Sequence, residues 1–397
     1  MIPNTSCYKN ICATKLSNLD NLLQGYIDRG ELPGFVTLIA QGEKTHYCKA
    51  RGYRDVESQS PYQKDTIVRI FSMTKPVASV ALLQLFEQGL FQLNDPVSDV
   101  LPEFSDMQVY EDGDLVKTHI PVSFRHILTH TAGLSYGSLG GIDPGYVDQQ
   151  YDAAKLFDSR QSLANIVSKL AQLPLRFQPG SQWHYSMATD VVGRLVEVLS
   201  GMPFGSYVEK HIFLPLKMLD TSFELVPEKQ HRLASLYQRK DDCLMSLMES
   251  SANSKWLAPV NAQMGGSGLL STAADYLRFC RCLLADGILD DERILQSETV
   301  QLMQQNQLPD SMLPIKFEFS APFSGLGFGL GVAVTQDISQ SSVAGSNGDF
   351  GWGGFAETVF WIDPQHDLIG INLTQCIPSG AYPIRKQIRQ IVYEAMN

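Results

Sequence analysis

A ten-residue run from Val77 to Phe86 is apolar on nearly all sides, and this run most limits how the chain can fold. A helix that is apolar all round can only be buried in a core, because none of its faces suits water. The segment Ser72-Met73-Thr74-Lys75-Pro76 precedes it, and proline is tolerated there because the first helical turn does not use its N–H. Gly89 is a residue of the type at which helices commonly end. The sequence therefore predicts a central helix that begins near Ser72.

Ser72 and Lys75 stand three residues apart, which places both side chains on one face of a helix. A serine at a helix start meets unpaired N–H groups and the positive end of the helix dipole, and both favour a developing oxyanion. Lys75 can take up the hydroxyl proton only in its neutral form, which burial favours. The pair indicates a nucleophile and its base. An ordinary helix cap with a solvated lysine is the alternative, and a second copy of the pattern, Ser6 to Lys9, shows that the pattern alone is weak.

The composition is that of a globular protein, since 44% of the 397 residues are hydrophobic and 18% are charged. The formal net charge of −11 disfavours a nucleic-acid partner. No secretory signal and no stretch of transmembrane length is recognisable. Seven scattered cysteines, an odd number, are typical of free thiols in a reducing compartment. We therefore expect a cytoplasmic protein that does not insert into a membrane.

Strand patterns lie at both ends of the chain and helical patterns lie between them. The N-terminal part predicts a helix over residues 15–29 and then a hairpin, while the C-terminal part predicts strands over residues 330–335, 357–362 and 368–373 and a last helix. Simple pairing gives an α+β fold, in which one antiparallel sheet is built from N- and C-terminal strands and flanked by helices. Residues 1–71 and 262–397 would form this sheet domain, and residues 72–261 an inserted, mainly helical domain. Residues 239–258 and 307–325 carry no clear pattern.

Three features occur together in one order: Ser72-x-x-Lys75, Tyr185-Ser186 before a helix, and Gly351-Trp352-Gly353-Gly354 before a strand. With these features the chain resembles the serine β-lactamase and penicillin-binding-protein superfamily on its class C side, from about residue 15 to the end. Within that superfamily it looks most like the family VIII carboxylesterases. Residues 126–134, 265–269 and 360–364 also look like the family. The resemblance implies a β-lactamase/transpeptidase-like fold with the active site between the two domains.

Carried over by position, the resemblance implies a role for each of these residues. Ser72 would be the nucleophile, and Lys75 and Tyr185 would handle its proton. A phenol acts as a base only where a neighbouring cation favours the phenolate. The backbone N–H groups of Ser72 and Phe355 would form the oxyanion hole. No metal and no organic cofactor is implied.

The chain departs from the class C pattern at two places. Methionine, Met187, stands where that pattern has an amide, so a hydrogen bond to a substrate amide is lost. Trp352-Gly353-Gly354 stands where the superfamily has Lys-Thr-Gly, and tryptophan offers an apolar surface instead of a charge for a carboxylate. Both changes favour a neutral ester with short acyl chains as the small-molecule partner. We expect the Trp-Gly-Gly segment, Met187 and Tyr136 to line the substrate pocket.

Several other interpretations stay open from the sequence. A β-lactamase or D-alanyl-D-alanine peptidase would need another cation near Trp352, and Arg385 could supply it. An acyltransferase would use the same acyl-enzyme, and a catalytically silent binding module would leave Ser72 unreactive. The sequence makes no prediction of the oligomeric state.

Two other motif matches give weaker candidates for functional residues. Gly133-Leu134-Ser135-Tyr136-Gly137 fits the nucleophile-elbow pattern, but that motif needs a strand before it, and a short helix is predicted there. His126 and His130 have the spacing of zinc ligands without the glutamate of the H-E-x-x-H motif, so we interpret them as structural.

Overall fold

The computed structural model describes residues 11–138, 144–158, 160–240, 245–317 and 322–396. The second Ser-x-x-Lys copy at Ser6 lies outside these residues. So do residues 241–244 and 318–321, which belong to the two segments without a clear pattern.

The helices of the described residues are α1 Ala13–Leu16, α2 Asn18–Asp28, α3 Thr74–Glu87, α4 Phe124–Leu128, α5 Tyr146–Ala154, α6 Leu163–Leu170, α7 Ala188–Ser200, α8 Phe204–Val208, α9 Ala273–Leu284, α10 Ser297–Gln304 and α11 Ile384–Ala395. The strands of the N-terminal and middle parts are β1 Gly34–Gln41, β2 Lys44–Asp55, β3 Ser60–Pro61, β4 Val68–Arg69, β5 Gln108–Glu111, β6 Asp114–Lys117, β7 Leu236–Arg239 and β8 Met245–Glu249. The remaining strands are β9 Leu270–Ser271, β10 Ile288–Leu289, β11 Glu292–Arg293, β12 Leu326–Phe328, β13 Ala333–Thr335, β14 Phe350–Gly353, β15 Val359–Asp363, β16 Leu368–Leu373 and β17 Cys376–Ile377.

One large sheet joins the two ends of the chain. Its strand order is β12-β13-β14-β15-β16-β1-β2-β3, and neighbouring strands are antiparallel. β1 lies between β16 and β2, with Val36 opposite both Leu373 and Ala50. The predicted α+β fold, with the N-terminal hairpin beside the C-terminal strands, is confirmed.

Both faces of this sheet are covered, which explains why β1 is apolar along nearly its whole length. Val36, Leu38 and Ala40 point into the main core, which also contains α3. Phe35 and Ile39 point the opposite way, into a second core formed with α2 and α11. Successive residues of a strand face opposite sides of a sheet, so a sheet buried on both sides needs apolar residues at every position.

α3 is the central helix that the sequence predicts. Its residues from Thr74 to Leu83, and Leu85, are buried, and α3 packs against α7. The main core contains residues of both predicted domains, and the boundaries at residues 71/72 and 261/262 stay a prediction.

The sheet is larger than the sequence analysis predicts, with five C-terminal strands instead of three. Gly351 to Gly353 precede a strand, β15, as predicted, but they also lie within a strand of their own, β14. The glycines of this region weaken its strand signal, because glycine has no side chain to pack on a sheet. The hairpin β5–β6 was not predicted either, although Asp112 and Gly113 both have the left-handed backbone of a two-residue turn.

No helix within the described ranges is long and apolar enough to cross a bilayer. The cysteines that the structure describes are free thiols, as predicted: Cys12, Cys48, Cys280, Cys282 and Cys376.

Replacing Gly370 with alanine should destabilise the sheet. Gly370 lies opposite Trp361, and a Cβ there would come within 2.1 Å of the Trp361 indole, which is fully buried and cannot move away. Overpacking of this kind lowers the free energy of unfolding by about 1–3 kcal/mol. Urea denaturation measures the change. Gly145→Ala is the matched control, because its nearest neighbour would be 3.7 Å away; equal stability of the two variants would contradict the packing argument.

Candidate active site

Ser72 lies in a short 3-10 turn, Phe71–Met73, which runs directly into α3. The backbone of this turn is strained, since Phe71 has a φ of 46°, in the left-handed region that non-glycine residues avoid. Its neighbours hold it in place: Ile70 N–H donates to Leu269 O at 3.0 Å, and Tyr276 OH donates to Met73 O at 2.8 Å. The Ser72 backbone is therefore fixed by contacts from outside the helix.

Lys75 is fully buried, and its side-chain nitrogen makes three hydrogen bonds. Lys75 Nζ donates to Ser72 Oγ at 3.3 Å, to Tyr136 OH at 2.9 Å and to Gly266 O at 2.7 Å. The structure thus brings Ser72 and Lys75 together on one face, as the sequence predicts. The solvated-lysine alternative is wrong.

Tyr185 lies beside this pair in an orientation that the sequence did not predict. Lys75 Nζ stands 4.6 Å from the centroid of the Tyr185 ring, and so contacts its face. The hydroxyl of Tyr185 accepts a 3.3 Å hydrogen bond from Trp352 Nε1. The phenol that bonds Lys75 directly is that of Tyr136, which was expected only to line the pocket.

Asp190 completes the surroundings of Lys75, and no sequence motif pointed to it. Its Oδ1 accepts a 2.8 Å hydrogen bond from Gly266 N–H, while the carbonyl of Gly266 accepts from Lys75. Burial raises the pKa of Asp190 to about 6, and the positive charge of Lys75 opposes this change. An acidic residue in the first turn of α7 is common for dipole reasons alone, so its sequence position gave little signal.

Tyr136 is a neutral phenol at neutral pH. Burial raises its pKa well above the ordinary range, and the nearby Asp190 and Tyr185 raise it further. Its hydroxyl can therefore accept a hydrogen bond from Lys75 without carrying charge.

The turn that carries Phe355 packs against the Ser72 turn. A Cβ on Gly354 would lie 2.3 Å from Ile70 O, so only glycine permits this approach. Thr358 Oγ1 donates to the same carbonyl at 3.3 Å. The rings of Phe71 and Phe355 meet edge to face at 6.3 Å. The two expected oxyanion donors, Ser72 N–H and Phe355 N–H, therefore lie on adjoining turns.

The residues of β14 face opposite sides of the sheet. The Trp352 ring packs on Tyr185, Phe317 and Phe328, with centroid distances of 5.3–6.0 Å. A Cβ on Gly353 would instead lie 2.6 Å from the Arg385 guanidinium. Arg385 is thus on the back of the strand, and the expectation that it could replace the missing lysine is wrong. Its guanidinium is bonded to Gly354 O and Thr358 O.

A cavity of about 400 Å³ reaches Tyr136, the phenol that bonds Lys75, although Ser72 is not among its lining residues. Tyr136, Met187, Leu156 and Phe157 give the lining apolar surface, and four charged residues also line it: Asp152, Lys155, Asp158 and Arg160. The Phe157 side chain is 58% exposed and stacks parallel to Tyr136 at 6.1 Å. The volume lies within the range of small-molecule sites.

The competing motifs have structural roles. Ser135 is buried, donates to Asp148 Oδ1 at 2.6 Å and accepts from Gly137 N–H. His126 caps α4 through a reciprocal pair of hydrogen bonds with Ser123. His130 contacts Ser186 at 3.3 Å. Burial lowers the pKa of both histidines, that of His126 to about 4.

Comparison with known proteins identifies the family. A family profile described as Beta-lactamase matches residues 19–391. Protein Rv1367c of Mycobacterium tuberculosis is 36% identical over 360 residues, 88% of each chain. Esterase EstB of Burkholderia gladioli is 29% identical over 96% of each chain. The solved structure of EstCE1, described as a hydrolase with promiscuous acyltransferase activity, superposes with a TM-score of 0.81 at 29% identity and covers 96% of this chain and 99% of its own.

Replacing Asp190 with asparagine should remove a pH-dependent step in activity on esters. The folded-state pKa of Asp190 is raised, so its carboxylate is lost as the pH falls through about 6. We expect turnover to decline there in the wild type. Asp190→Asn should lack this inflection and turn over about tenfold more slowly at pH 8, since hydrogen bonds to charged groups contribute about 1.5–3 kcal/mol. A pH–rate profile measures both effects.

Asp275→Asn is the matched control, because Asp275 is also a carboxylate in the first turn of a helix whose pKa burial raises, and it bonds Asp220 N–H and Thr221. It should be less stable and keep the inflection. An inflection near pH 6 that persists in Asp190→Asn would show that another group titrates.

Proposed function

Because this chain belongs to the beta-lactamase family, we propose that it is a serine hydrolase of carboxylic esters that works through an acyl-enzyme on Ser72. Within the family we propose a place among the family VIII carboxylesterases. The name of EstB, an esterase that aligns with almost the entire chain, supports ester cleavage.

One observation carries the choice of ester over β-lactam. Trp352 occupies the position of the lysine that holds a substrate carboxylate elsewhere in the superfamily, and its indole packs on Tyr185 inside the site. Arg385, the nearby cation considered from the sequence, faces the other side of β14. An anionic substrate would meet aromatic surface here, whereas a neutral ester would be accommodated.

In the proposed reaction Lys75 works as the neutral amine, which still donates to Tyr136 OH and Gly266 O and accepts a hydrogen bond from Ser72 Oγ. Ser72 Oγ then attacks the ester carbonyl while its proton passes to the Lys75–Tyr185 pair. Lys75 Nζ is the nearer group, at 3.3 Å from Ser72 Oγ. The Tyr185 hydroxyl accepts a hydrogen bond from Trp352 Nε1 in the same site. The oxyanion would accept hydrogen bonds from Ser72 N–H and Phe355 N–H. The proton then goes to the leaving alcohol, and water repeats the sequence on the acyl-enzyme.

Acyl transfer is a second candidate, in which an acceptor alcohol replaces water. EstCE1 is described as having promiscuous acyltransferase activity, and the cavity beside Met187 has room for an acceptor. The ratio of ester to acid products, measured with and without an added alcohol, separates the two reactions.

Replacing Ser72 with alanine should abolish turnover of p-nitrophenyl acetate, because the Ser72 hydroxyl is the group proposed to form the acyl-enzyme. A fluorophosphonate probe should label the wild type and not this variant. Ser79→Ala is the matched control: this serine is also on the buried side of the helix, and its Oγ has no hydrogen-bond partner among the described residues. Retained turnover in Ser72→Ala would disprove the assignment, and a chromogenic cephalosporin cleaved as fast as the ester would favour the β-lactamase alternative.

Replacing Phe157 with alanine should change the preference for acyl chain length. The ring is part of the apolar lining of the cavity, so we expect KM for p-nitrophenyl hexanoate to rise about threefold to tenfold, since burying part of an aromatic side chain contributes roughly 1 kcal/mol. KM for the acetate should change less than about twofold on the same estimate. Leu219→Ala, at a residue 69% exposed and outside the cavity lining, is the control. An equal change for both esters would show that the acyl chain lies elsewhere.

A further inference from the structure

The peptide bond between Gly354 and Phe355 joins two functional groups in one plane. Its N–H belongs to Phe355, the second donor of the proposed oxyanion hole. Its carbonyl, that of Gly354, accepts a 2.7 Å hydrogen bond from Arg385 Nη2. This peptide is trans, so its N–H and C=O point in opposite directions. Arg385 therefore holds the peptide from the side opposite the oxyanion.

The same guanidinium fixes the other end of the turn. Arg385 Nη2 also donates to Thr358 O at 3.0 Å, and Gly354 N–H donates to that carbonyl at 2.8 Å. Phe355 lies between these two anchored positions. Its side chain is 47% exposed, so packing of the ring alone restrains its backbone only weakly.

Glu357 stabilises the Arg385 guanidinium in this position through an ion pair. Its carboxylate is buried and forms an ion pair with Arg385, with Oε1 2.8 Å from Nε. Its Oε2 accepts a 2.6 Å hydrogen bond from Gly380 N–H. The backbone of Glu357 has a φ of 64°, a strained conformation that persists only where the surroundings impose it. The turn is thus held in one uncommon shape by a buried carboxylate and a partly exposed guanidinium.

We propose that Arg385 is a positioning residue of the oxyanion hole, which aims the Phe355 N–H at the developing negative charge and polarises it through the shared peptide. A cation on a carbonyl oxygen strengthens the hydrogen bond that the N–H of the same peptide can donate. This inference rests on the proposed esterase function, in which the tetrahedral intermediate carries that charge. It also gives a reason for an ion pair on the side of β14 opposite Trp352.

The test compares Arg385→Gln with Arg389→Gln. Arg389 lies one turn further along α11 and also forms a buried ion pair, with Asp349, but it contacts no part of the Phe355 turn. With p-nitrophenyl acetate, Arg385→Gln should lower kcat about tenfold to 100-fold, since losing one oxyanion donor outright costs on the order of 100- to 1,000-fold. KM should change less than about threefold, because the ground-state carbonyl needs the donor less. Arg389→Gln should lower the melting temperature and keep kcat.

A boronic acid gives a readout that a purely structural role would not move. Phenylboronic acid forms a tetrahedral anion on Ser72, and its affinity should fall in Arg385→Gln by the same factor as kcat. Arg385→Lys, which restores a charge but not the fork of donors, should recover part of the loss. Glu357→Gln, which frees the guanidinium and keeps the side-chain volume, should lower kcat by a smaller factor and serves if Arg385→Gln does not fold.

Each outcome decides one question. An unchanged kcat in Arg385→Gln or Glu357→Gln, or a loss confined to KM, would overturn the positioning role alone. A wild-type protein that does not hydrolyse the ester or bind the boronic acid at Ser72 would overturn the proposed function and this inference with it.

Discussion

The buried ammonium of Lys75 is the interaction on which the rest of the site depends. A cation in a core is tolerated only when its hydrogens find acceptors, and those of Lys75 go to Ser72, Tyr136 and Gly266. These acceptors belong to the turn before α3, the loop after α4 and the loop before β9. Satisfying one side chain thus brings three distant segments together around the nucleophile. Asp190 accepts a hydrogen bond from Gly266 N–H, and its negative charge offsets the positive charge of Lys75.

The site combines the charge of Lys75 with the aromatic surfaces of Tyr185 and Trp352. Lys75 lies against the Tyr185 ring, and Trp352 covers the far side of that ring and bonds its hydroxyl. On the opposite side of β14, Arg385 and Glu357 form the ion pair that braces the neighbouring turn. Strand β14 therefore has the aromatic ring of Trp352 on one side and the Arg385–Glu357 ion pair on the other.

The sequence predicted the parts of this arrangement that follow from local patterns. The apolar run after Ser72 could only be a buried helix, and the spacing of Ser72 and Lys75 could only place them on one face. Tyr136 and Asp190 were underestimated because their roles arise from segments that meet only in the fold. Gly353 illustrates the same limit: its sequence context suggested a substrate contact, but its missing side chain makes room for Arg385 behind the sheet. The domain boundaries and the catalytic roles are still predictions.

The position of β1 has a consequence for how the protein is made. This strand is apolar on both faces, and it needs β16, whose residues follow near the other end of the chain, as one of its two neighbours. A hairpin alone is only marginally stable in water, so β1 and β2 leave the ribosome long before they can be completed. During that interval the edge of β1 that pairs with β16 has no partner strand. An unpaired edge of this kind favours aggregation, and a chaperone can bind it. The β1–β16 pairing is therefore one of the last contacts of the sheet that synthesis makes possible.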